Sequence, residues 1–278
     1  MTAFSGRALG AILGVAALAT APVAASAADL ALAPAFAEVP TTPNIDAAFG
    51  VTLASQYVAR GVAQSAGNPG VQGYGEIRLF DWFYAGAWAA SLDLPASKGL
   101  TDPALEVDAY IGLRHTWDRL TLDGGVIYFW YAGEKGANTD YWEPYFRPTY
   151  QVNDWLTVGG LVRATDNFVN LSAKELYLLG NAKIKLPNFT NNSDLGLYVS
   201  GEFGHRWIGK TKAGFNFPDY LVWNGGVGLT YKSMTLDARY WDTSLSRRQC
   251  GLFVNDRGWC GDRYVLSLSF DTTLSALK

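Results

Sequence analysis

The sequence predicts an all-β fold, a closed antiparallel transmembrane β-barrel of about twelve strands with short periplasmic turns and longer extracellular loops. Three observations predict it. Apolar and charged residues alternate along about twelve segments of the chain. The connections between these segments are short and long in alternation, and most tryptophans lie near the segment ends. The chain has 278 residues, enough for one large domain, and its formal net charge of −3 gives no basic surface for nucleic acid.

The N-terminal segment indicates export and precedes the fold. Arg7 is followed by an apolar run over residues 9–18, and Ala25-Ser26-Ala27 provides an A-x-A cleavage site. We therefore expect a signal peptide over residues 1–27 and an Ala- and Pro-rich leader over residues 28–43. No later run of about 18 apolar residues follows, so the exported chain is either a soluble protein or a membrane barrel.

Alternation with a period of two defines the strands. In residues 105–114, apolar side chains alternate with Glu106, Asp108 and Arg114, and successive side chains of a strand point to opposite faces. One face is therefore apolar and the other charged. Most segments are near the length of about 9–11 residues that a tilted strand needs to cross a bilayer. We predict strands over residues 45–58, 71–80, 83–94, 104–117, 120–131, 141–151, 155–165, 173–186, 194–208, 220–232, 234–244 and 263–271, in a barrel of residues 44–271 followed by a short tail of residues 272–278.

The connections between these segments alternate in length. Short ones such as Asp81-Trp82 and Asp118-Arg119 follow even-numbered strands, whereas long ones such as 59–70 and 245–262 follow odd-numbered strands. Outer-membrane barrels have short turns on the periplasmic side and longer loops on the outside. An even number of strands also places both ends of the barrel sequence on the short-turn side.

The positions of the tryptophans give an independent test of the membrane-barrel prediction, because aromatic rings with a polar atom prefer the two membrane–water boundaries. Trp82, Trp117 and Trp155 lie beside predicted short turns. The tryptophans near predicted long loops are Trp130, Trp142, Trp207, Trp223 and Trp241. Two groups at the two strand ends predict a pair of aromatic girdles. The core of a soluble β-sandwich would instead place large aromatic residues in mid-strand, as only Trp88 does.

A lipid-exposed sheet must close, because lipid cannot satisfy the hydrogen-bonding groups of an open edge. The apolar face then turns outward and the charged face lines the lumen, where charges either set ion preference or pair with one another. A barrel of about twelve strands lies between the filled eight-stranded and the open sixteen-stranded kinds, and we favour a narrow channel over a plugged interior. The predicted pore-lining residues are Glu76, Arg78, Glu106, Asp108, Arg114, Glu143, Arg147, Arg163, Glu175, Lys183, Lys185, Glu202 and Arg239, with Asp123, Arg206, Asp237 and Arg263 as further candidates.

Two motifs resemble those of a known family. YVARGVAQS at residues 57–65, which fits Tyr-x-x-Arg-Gly-x-x-Gln-Ser, and LEVD at residues 105–108 are similar to segments of the TorF family of outer-membrane porins. The resemblance covers most of the mature chain and is clearest before about residue 165. It implies a β-barrel and pore formation, and it carries over no binding residues. One departure is that Asp271–Lys278 follow Phe270, where outer-membrane strands commonly end the chain with an aromatic residue.

The residues that could carry chemistry are few. Cys250 and Cys260 lie in the last long loop, where export to an oxidising compartment favours a disulfide over a reactive or metal-binding thiol pair. His115 and His205 lie at opposite predicted ends of the barrel, and neither has an evident Ser partner for hydrolysis. We expect no metal site. GHRWIGKT at residues 204–211 matches a phosphate-loop pattern by chance, because no helix is predicted after it.

Together these patterns predict a porin in the bacterial outer membrane that allows passive diffusion of small hydrophilic solutes through a narrow, charged lumen. We expect no catalytic residues and no cofactor. The expected partners are outer-membrane lipids and the barrel-assembly machinery. One alternative is a closed barrel that acts as an adhesin or structural protein through its extracellular loops. Another is an outer-membrane enzyme such as a lipid hydrolase.

Overall fold

Twelve antiparallel strands, β1 to β12, close into a barrel in a computed structural model that describes residues 45–188 and 192–277. Each strand pairs with its neighbours along the chain, and β1 completes the cylinder by pairing with β12. The predicted fold class is confirmed, while the predicted signal peptide and leader over residues 1–43 lie outside the described residues. The strands are β1 (Ile45–Ala54), β2 (Gly70–Leu79), β3 (Phe83–Ser91), β4 (Leu105–Trp117), β5 (Leu120–Ala132), β6 (Tyr141–Gln151), β7 (Leu156–Phe168), β8 (Ala173–Leu186), β9 (Leu195–Ile208), β10 (Tyr220–Tyr231), β11 (Met234–Thr243) and β12 (Arg263–Thr273).

The strand boundaries follow the alternation, with the largest departure in the first strand. The alternation predicts a strand over residues 45–58, but β1 ends at Ala54 because the chain then turns away from the sheet and into the barrel. The last of the predicted residues belong to a separate hairpin, in which Val58–Ala59 pairs with Val62–Ala63. At the other end of the chain, β12 continues as far as Thr273, slightly beyond its predicted end.

The two faces of the barrel wall have opposite chemistry. Outward-facing apolar side chains remain uncovered, with Ile111 62% and Tyr264 75% exposed. Inward-facing charged side chains such as Glu106 and Arg163 are buried. A soluble β-sandwich has the reverse arrangement, since its apolar side chains interdigitate between the two sheets. An apolar band around the outside is the surface that a membrane barrel presents to lipid.

Most of the predicted girdle tryptophans point outward at the strand ends. Trp82 stacks on His115 with ring centroids 4.1 Å apart and meets the edge of Trp117. The prediction was wrong for Trp241, which is buried in the lumen because it shares the inward face of β11 with Asp237. The remaining girdle tryptophans are Trp130, Trp142, Trp155 and Trp207, all exposed, and Trp223, which is half covered.

β6 forms although Pro144 and Pro148 lie within it. A proline has no amide hydrogen and removes one donor from a ladder. The register of β6 with β5 is nevertheless continuous, whereas its pairing with β7 is limited to Tyr145–Phe146 and Thr149–Gln151. The barrel wall is therefore least completely bonded between β6 and β7 among the described strands.

The connections of the barrel differ at its two ends, here called the turn end and the loop end. Tight connections such as Asp118-Arg119 lie at the turn end, where β1 begins and β12 finishes. The loops at the loop end include loop 1 (residues 55–69), loop 2 (residues 92–104) and loop 6 (residues 244–262). None of the described residues forms a helix that is long and apolar enough to span a membrane.

Loop 6 contains a short helix that the sequence patterns did not predict, α1 (Arg247–Val254). Ser246 caps its first turn, since the Ser246 hydroxyl oxygen accepts a hydrogen bond from the Gln249 amide and the Gln249 side chain bonds the Ser246 amide in return. A disulfide joins Cys250 of α1 to Cys260 near the end of the loop. The helix and its crosslink give loop 6 a fixed shape over the barrel mouth.

Candidate functional site

Loop 1 sends a hairpin into the lumen instead of staying outside. Every residue of the YVARGVAQS segment is buried, and residues 57–65 are here called the plug hairpin. Its two strands are joined by Arg60-Gly61, whose φ angles of 48° and 81° are both positive. Two-residue hairpin loops favour this conformation because its twist matches that of the flanking strands. Arg60 is thereby carried at the tip of the hairpin.

Gly61 permits a close approach between the hairpin tip and the barrel wall. A Cβ atom at this position would lie 2.3 Å from Thr243 Cγ2 and 2.9 Å from Val222 Cγ2. Both distances are shorter than van der Waals contact, and the positive φ angle disfavours a side chain as well. The glycine therefore lets the tip rest directly against β10 and β11.

Arg60 is held between two carboxylates that project inward from the barrel wall. Its Nη2 donates to Glu143 Oε2 at 2.6 Å, and its Nη1 donates to Glu175 Oε1. Its Cζ lies 5.1 Å from the ring centroid of Tyr177, and its carbonyl oxygen accepts a hydrogen bond of 3.1 Å from the Tyr220 hydroxyl. Strands β6, β8 and β10 together hold the hairpin tip.

Two further arginines complete a buried group, the latch cluster, made of Arg60, Glu143, Arg163, Glu175 and Arg206. Arg206 donates two hydrogen bonds of 2.7 and 2.9 Å to Glu175. Arg163 Nη1 lies 3.6 Å from Glu143 Oε2. Each carboxylate thus meets two guanidinium groups. Because a buried ion pair that loses one partner leaves an uncompensated charge, removing any member is expected to be costly.

Loops 2 and 6 cover the plug hairpin from the loop end. The Ala63 amide donates to the Trp259 carbonyl oxygen at 2.9 Å. Lys98 forms an ion pair with Asp256 and lies 4.8 Å from the ring centroid of Trp259. Partial burial acts to raise the pKa of Asp256, but hydrogen bonds from Lys98 and the Gly258 amide outweigh it and lower the pKa. These contacts form a packed roof over the hairpin.

Near the turn end, the wall formed by β2 to β5 has its charges paired. Arg78 Nε lies 2.7 Å from Glu76 Oε1, and Arg114 Nη1 lies 3.2 Å from the same oxygen. Arg114 also donates to Asp123 Oδ2 at 3.0 Å. These four side chains form one ion-pair network, so their charges largely compensate one another.

Glu106 and Asp108 lie on the inward face of β4, close to the plug hairpin. Glu106 accepts hydrogen bonds from the hydroxyls of Tyr57 and Tyr131 at 3.0 and 3.3 Å. Asp108 is fully buried, and neither of its oxygens has a hydrogen-bond partner among the described residues. Arg147 is also buried in the lumen, on β6. Because Tyr57 belongs to the plug hairpin, its hydrogen bond to Glu106 helps to hold the hairpin in place.

A cavity of about 140 Å³ remains in the lumen, between the plug hairpin and the wall of β8, β9, β11 and β12. Tyr57, Val58 and Trp241 line it toward the loop end. Its charged lining residues are Lys183, Glu202, Asp237 and Arg239. Its hydroxyl-bearing lining residues include Thr52, Ser200, Thr235, Ser267 and Ser269.

Most of the charged groups around this cavity are engaged. Arg239 donates to both oxygens of Asp237 at 3.1 and 3.0 Å, and to Asn224 Oδ1 at 2.6 Å. Glu202 accepts a hydrogen bond of 2.6 Å from Asn224. Lys183 differs, because its Nζ lies 3.9 Å from the ring centroid of Tyr198 and has no carboxylate within ion-pair distance among the described residues.

The sequence over residues 38–258 matches the model of a family described as "Bacterial protein of unknown function (Gcw_chp)". The chain belongs to this family. The match covers the plug hairpin, the latch cluster and nearly the whole barrel up to loop 6. None of the curated proteins matches the sequence.

Solved structures similar to this Gcw_chp chain are outer-membrane barrels of low identity. The KdgM porin is 11% identical with a TM-score of 0.45, over 81% of this chain and 98% of that one. The COG4313 outer membrane channel from Pseudomonas putida F1 is 12% identical with a TM-score of 0.42, over 87% and 100%. The toluene transporter TodX from Pseudomonas putida is 12% identical with a TM-score of 0.45, over 97% and 96%.

The structure places all of the predicted pore-lining residues of this Gcw_chp chain on the inward face. It brings Glu143, Arg163 and Glu175 together in the latch cluster. Glu76, Arg78 and Arg114 meet near the turn end, while Lys183, Lys185, Glu202 and Arg239 lie on β8, β9 and β11.

The plug hairpin was not predicted, although the sequence contains two signals for it. Val58 is an apolar residue at the end of the predicted first strand, and Val62 is another in the external loop that was predicted to follow it. Arg60-Gly61 between them is a two-residue turn that ends in glycine. Residues 204–211, the phosphate-loop match, form the end of β9 and a non-helical connection. His205 faces outward, with its ring centroid 4.0 Å from that of Trp207.

Proposed function

We propose that this chain is a porin of the bacterial outer membrane, in which small hydrophilic solutes diffuse passively through a narrow, charged lumen. The apolar exterior and the two aromatic girdles support insertion in a membrane. The turn end then faces the periplasm and the loop end faces outward. The resemblance to TorF porins supports the same function, and assembly would require the barrel-assembly machinery and outer-membrane lipids.

The observation that carries this proposal is the cavity beside the plug hairpin, whose lining includes charged and hydroxyl-bearing side chains. A lumen filled by side chains alone would leave no such space, and a barrel of twelve strands lies between the filled eight-stranded and the open sixteen-stranded kinds. Toward the turn end its lining residues, such as Ser267 and Ser269, are only half buried. The passage is therefore wettable from the periplasmic side and narrowed by the hairpin on the outer side.

Conductance of the purified full-length chain in planar bilayers tests the proposal. We expect small, steady currents from the parent, and larger ones from Arg60→Gln, because the substitution removes the ion pairs to Glu143 and Glu175 that hold the hairpin. Arg248→Gln is the matched control, since Arg248 is exposed on α1, and its conductance should equal that of the parent.

A closed barrel that acts through its loops is the second candidate function. The observation that favours it is the roof formed by loops 2 and 6 over a fully buried hairpin. Folded, membrane-inserted protein that passes no current in either the parent or Arg60→Gln would contradict the porin and support this candidate. Current that appears only in Arg60→Gln would support a channel that the hairpin closes.

A further inference from the structure

We propose that the lumen cavity binds small hydroxylated carboxylates, with Lys183 as the residue that holds the carboxylate. This inference rests on the proposed porin function and specifies the class of solute. The observation that leads to it is a buried ammonium group that has no acidic partner among the described residues and is set among hydroxyl groups in an open cavity.

Lys183 is unusual among the lumen cations. Its side chain projects inward from β8, and the residue is only 4% exposed. The Tyr198 ring 3.9 Å from its Nζ offers a cation–π contact, which satisfies the charge only in part. Buried charges in proteins are normally paired with an opposite charge. An anion in the cavity would supply the missing partner.

The nearby carboxylates do not fill this role. Asp237 is bound by Arg239 through both of its oxygens, and it also accepts a hydrogen bond of 2.9 Å from the Tyr198 hydroxyl. Glu202 is opposite Asn181 in the sheet register, whereas Lys183 is opposite Ser200, so Glu202 lies farther toward the loop end. Its carboxylate is held there by Asn224.

Lys185 adds a second positive charge on the same face. It is two residues nearer the turn end on β8, opposite Tyr198 in the register, and it is partly exposed. On the opposite side, Arg78 and Arg114 are paired with Glu76 and Asp123, so these two arginines offer no comparable uncompensated charge. An anion that enters from the turn end would therefore meet Lys185 first and Lys183 next.

The remainder of the cavity specifies the rest of the ligand. Hydroxyl groups of Ser200, Ser267 and Ser269 both donate and accept hydrogen bonds, which suits hydroxyl groups on a solute. A dry engineered cavity of roughly this volume holds benzene, a molecule of about six heavy atoms. The cavity, at about 140 Å³, therefore suits a three-carbon hydroxy acid such as glycerate.

Binding of glycerate to the detergent-solubilised full-length chain, measured by calorimetry, tests the inference directly. Glycerol is the control ligand, because it has similar hydroxyl groups but no carboxylate. We expect glycerate to bind and glycerol to bind much more weakly. Lys183→Gln should weaken glycerate binding by about tenfold, the loss expected for one charge-assisted hydrogen bond. Lys174→Gln, on the outward face of the same strand, should change nothing.

Reversal potentials in a potassium chloride gradient give the second readout. We expect the parent to prefer chloride, Lys183→Gln to lose most of that preference, and Lys183→Glu to prefer potassium. Current with no ion preference, together with equal binding of glycerate by parent and Lys183→Gln, would overturn the inference while leaving the porin intact. Glycerate binding without current in the parent or Arg60→Gln would overturn the porin and retain the site.

Discussion

At the scale of single residues, Arg60 and Gly61 fix the position of the plug hairpin by different means. Arg60 supplies ion pairs to Glu143 and Glu175, and Gly61 supplies the space in which the tip meets Thr243. The ion pairs are buried and the space is smaller than a methyl group, so neither residue has a conservative replacement.

Gly61→Ala should therefore destabilise the protein more than a glycine substitution in the same loop does. Gly67 has nearly the same φ angle, 83° against 81°, but a Cβ there would come no closer than 3.9 Å to any other atom. A positive φ angle alone costs alanine about 1 kcal/mol, and overpacking adds about 1–3 kcal/mol. Urea unfolding in lipid vesicles should give a loss of about 2–4 kcal/mol for Gly61→Ala and about 1 kcal/mol for Gly67→Ala. Equal losses of unfolding free energy in the two variants would contradict the close contact of Gly61 with the barrel wall.

The latch cluster also shows how far the sequence predicts individual residues. The alternation places Glu143 and Glu175 on the charged face, because the side of a strand residue depends only on its position in a period of two. Their partner Arg60 lies far away in a connecting segment. No local pattern contains information on which distant residue enters the lumen, so the ion pairs were not predictable.

At the scale of elements, the disulfide and α1 make loop 6 a fixed part of the roof. Replacing both cysteines, as Cys250→Ser with Cys260→Ser, should release the helix without unfolding the barrel. A crosslink over a loop of about ten residues contributes about 3 kcal/mol in the chain-entropy model. Hydrogen exchange should show amides of α1 (Arg247–Val254) losing about 100-fold in protection, with strand amides unchanged. Unchanged protection of α1 would show that packing alone holds it.

The contact between loops 2 and 6 should depend on pH. The pKa of Asp256 is lowered in the folded state, so the ion pair with Lys98 contributes stability above the pKa of an unfolded aspartate, about 3.9. This contribution is lost as the pH falls through the lowered folded value. Hydrogen exchange around Trp259, corrected for intrinsic rates, should therefore accelerate below about pH 4. An Asp256→Asn variant should show no such step, and a step in that variant would assign the effect elsewhere.

α1 illustrates why elements inside loops are harder to predict than strands. Twelve strands repeat one period and each must present an apolar side to lipid, so the pattern is strong and redundant. The helix is a single short element whose stability comes from its cap, its crosslink and the burial of Phe253 and Val254. Short helices are marginal without such tertiary support, and their local signal is correspondingly weak.

At the scale of the whole molecule, the barrel has apolar side chains on its outside and polar side chains on its inside. The same substitution should therefore affect stability differently at neighbouring residues of one strand. Leu266 faces outward and is 53% exposed, while Ser267 next to it lines the cavity. Leu266→Arg should lower the free energy of unfolding in lipid by about 2–4 kcal/mol, as an arginine on the lipid face does. Ser267→Arg should leave stability nearly unchanged and reduce conductance. Equal destabilisation by both substitutions would contradict an aqueous lumen.

The fold as a whole was predictable because the bilayer imposes it. Strand length, the alternation of side chains and the need to close an edge all follow from lipid as the surrounding medium. The bilayer does not determine what fills the lumen, because water, other side chains or an inserted loop can each form hydrogen bonds with the polar side chains of the inward face. This freedom explains why the barrel was predicted and the plug hairpin was not.

The junction between β1 and β12 closes the described barrel, and the paired stretch of β1 is shorter there than in its pairing with β2. β1 pairs with β12 only from Ala48 onward, but with β2 from Ile45. The plug hairpin begins three residues after β1, so its root is anchored beside this seam. Sideways parting of the seam would therefore pull on the hairpin, so the closure of the barrel wall and the position of the plug hairpin are mechanically linked.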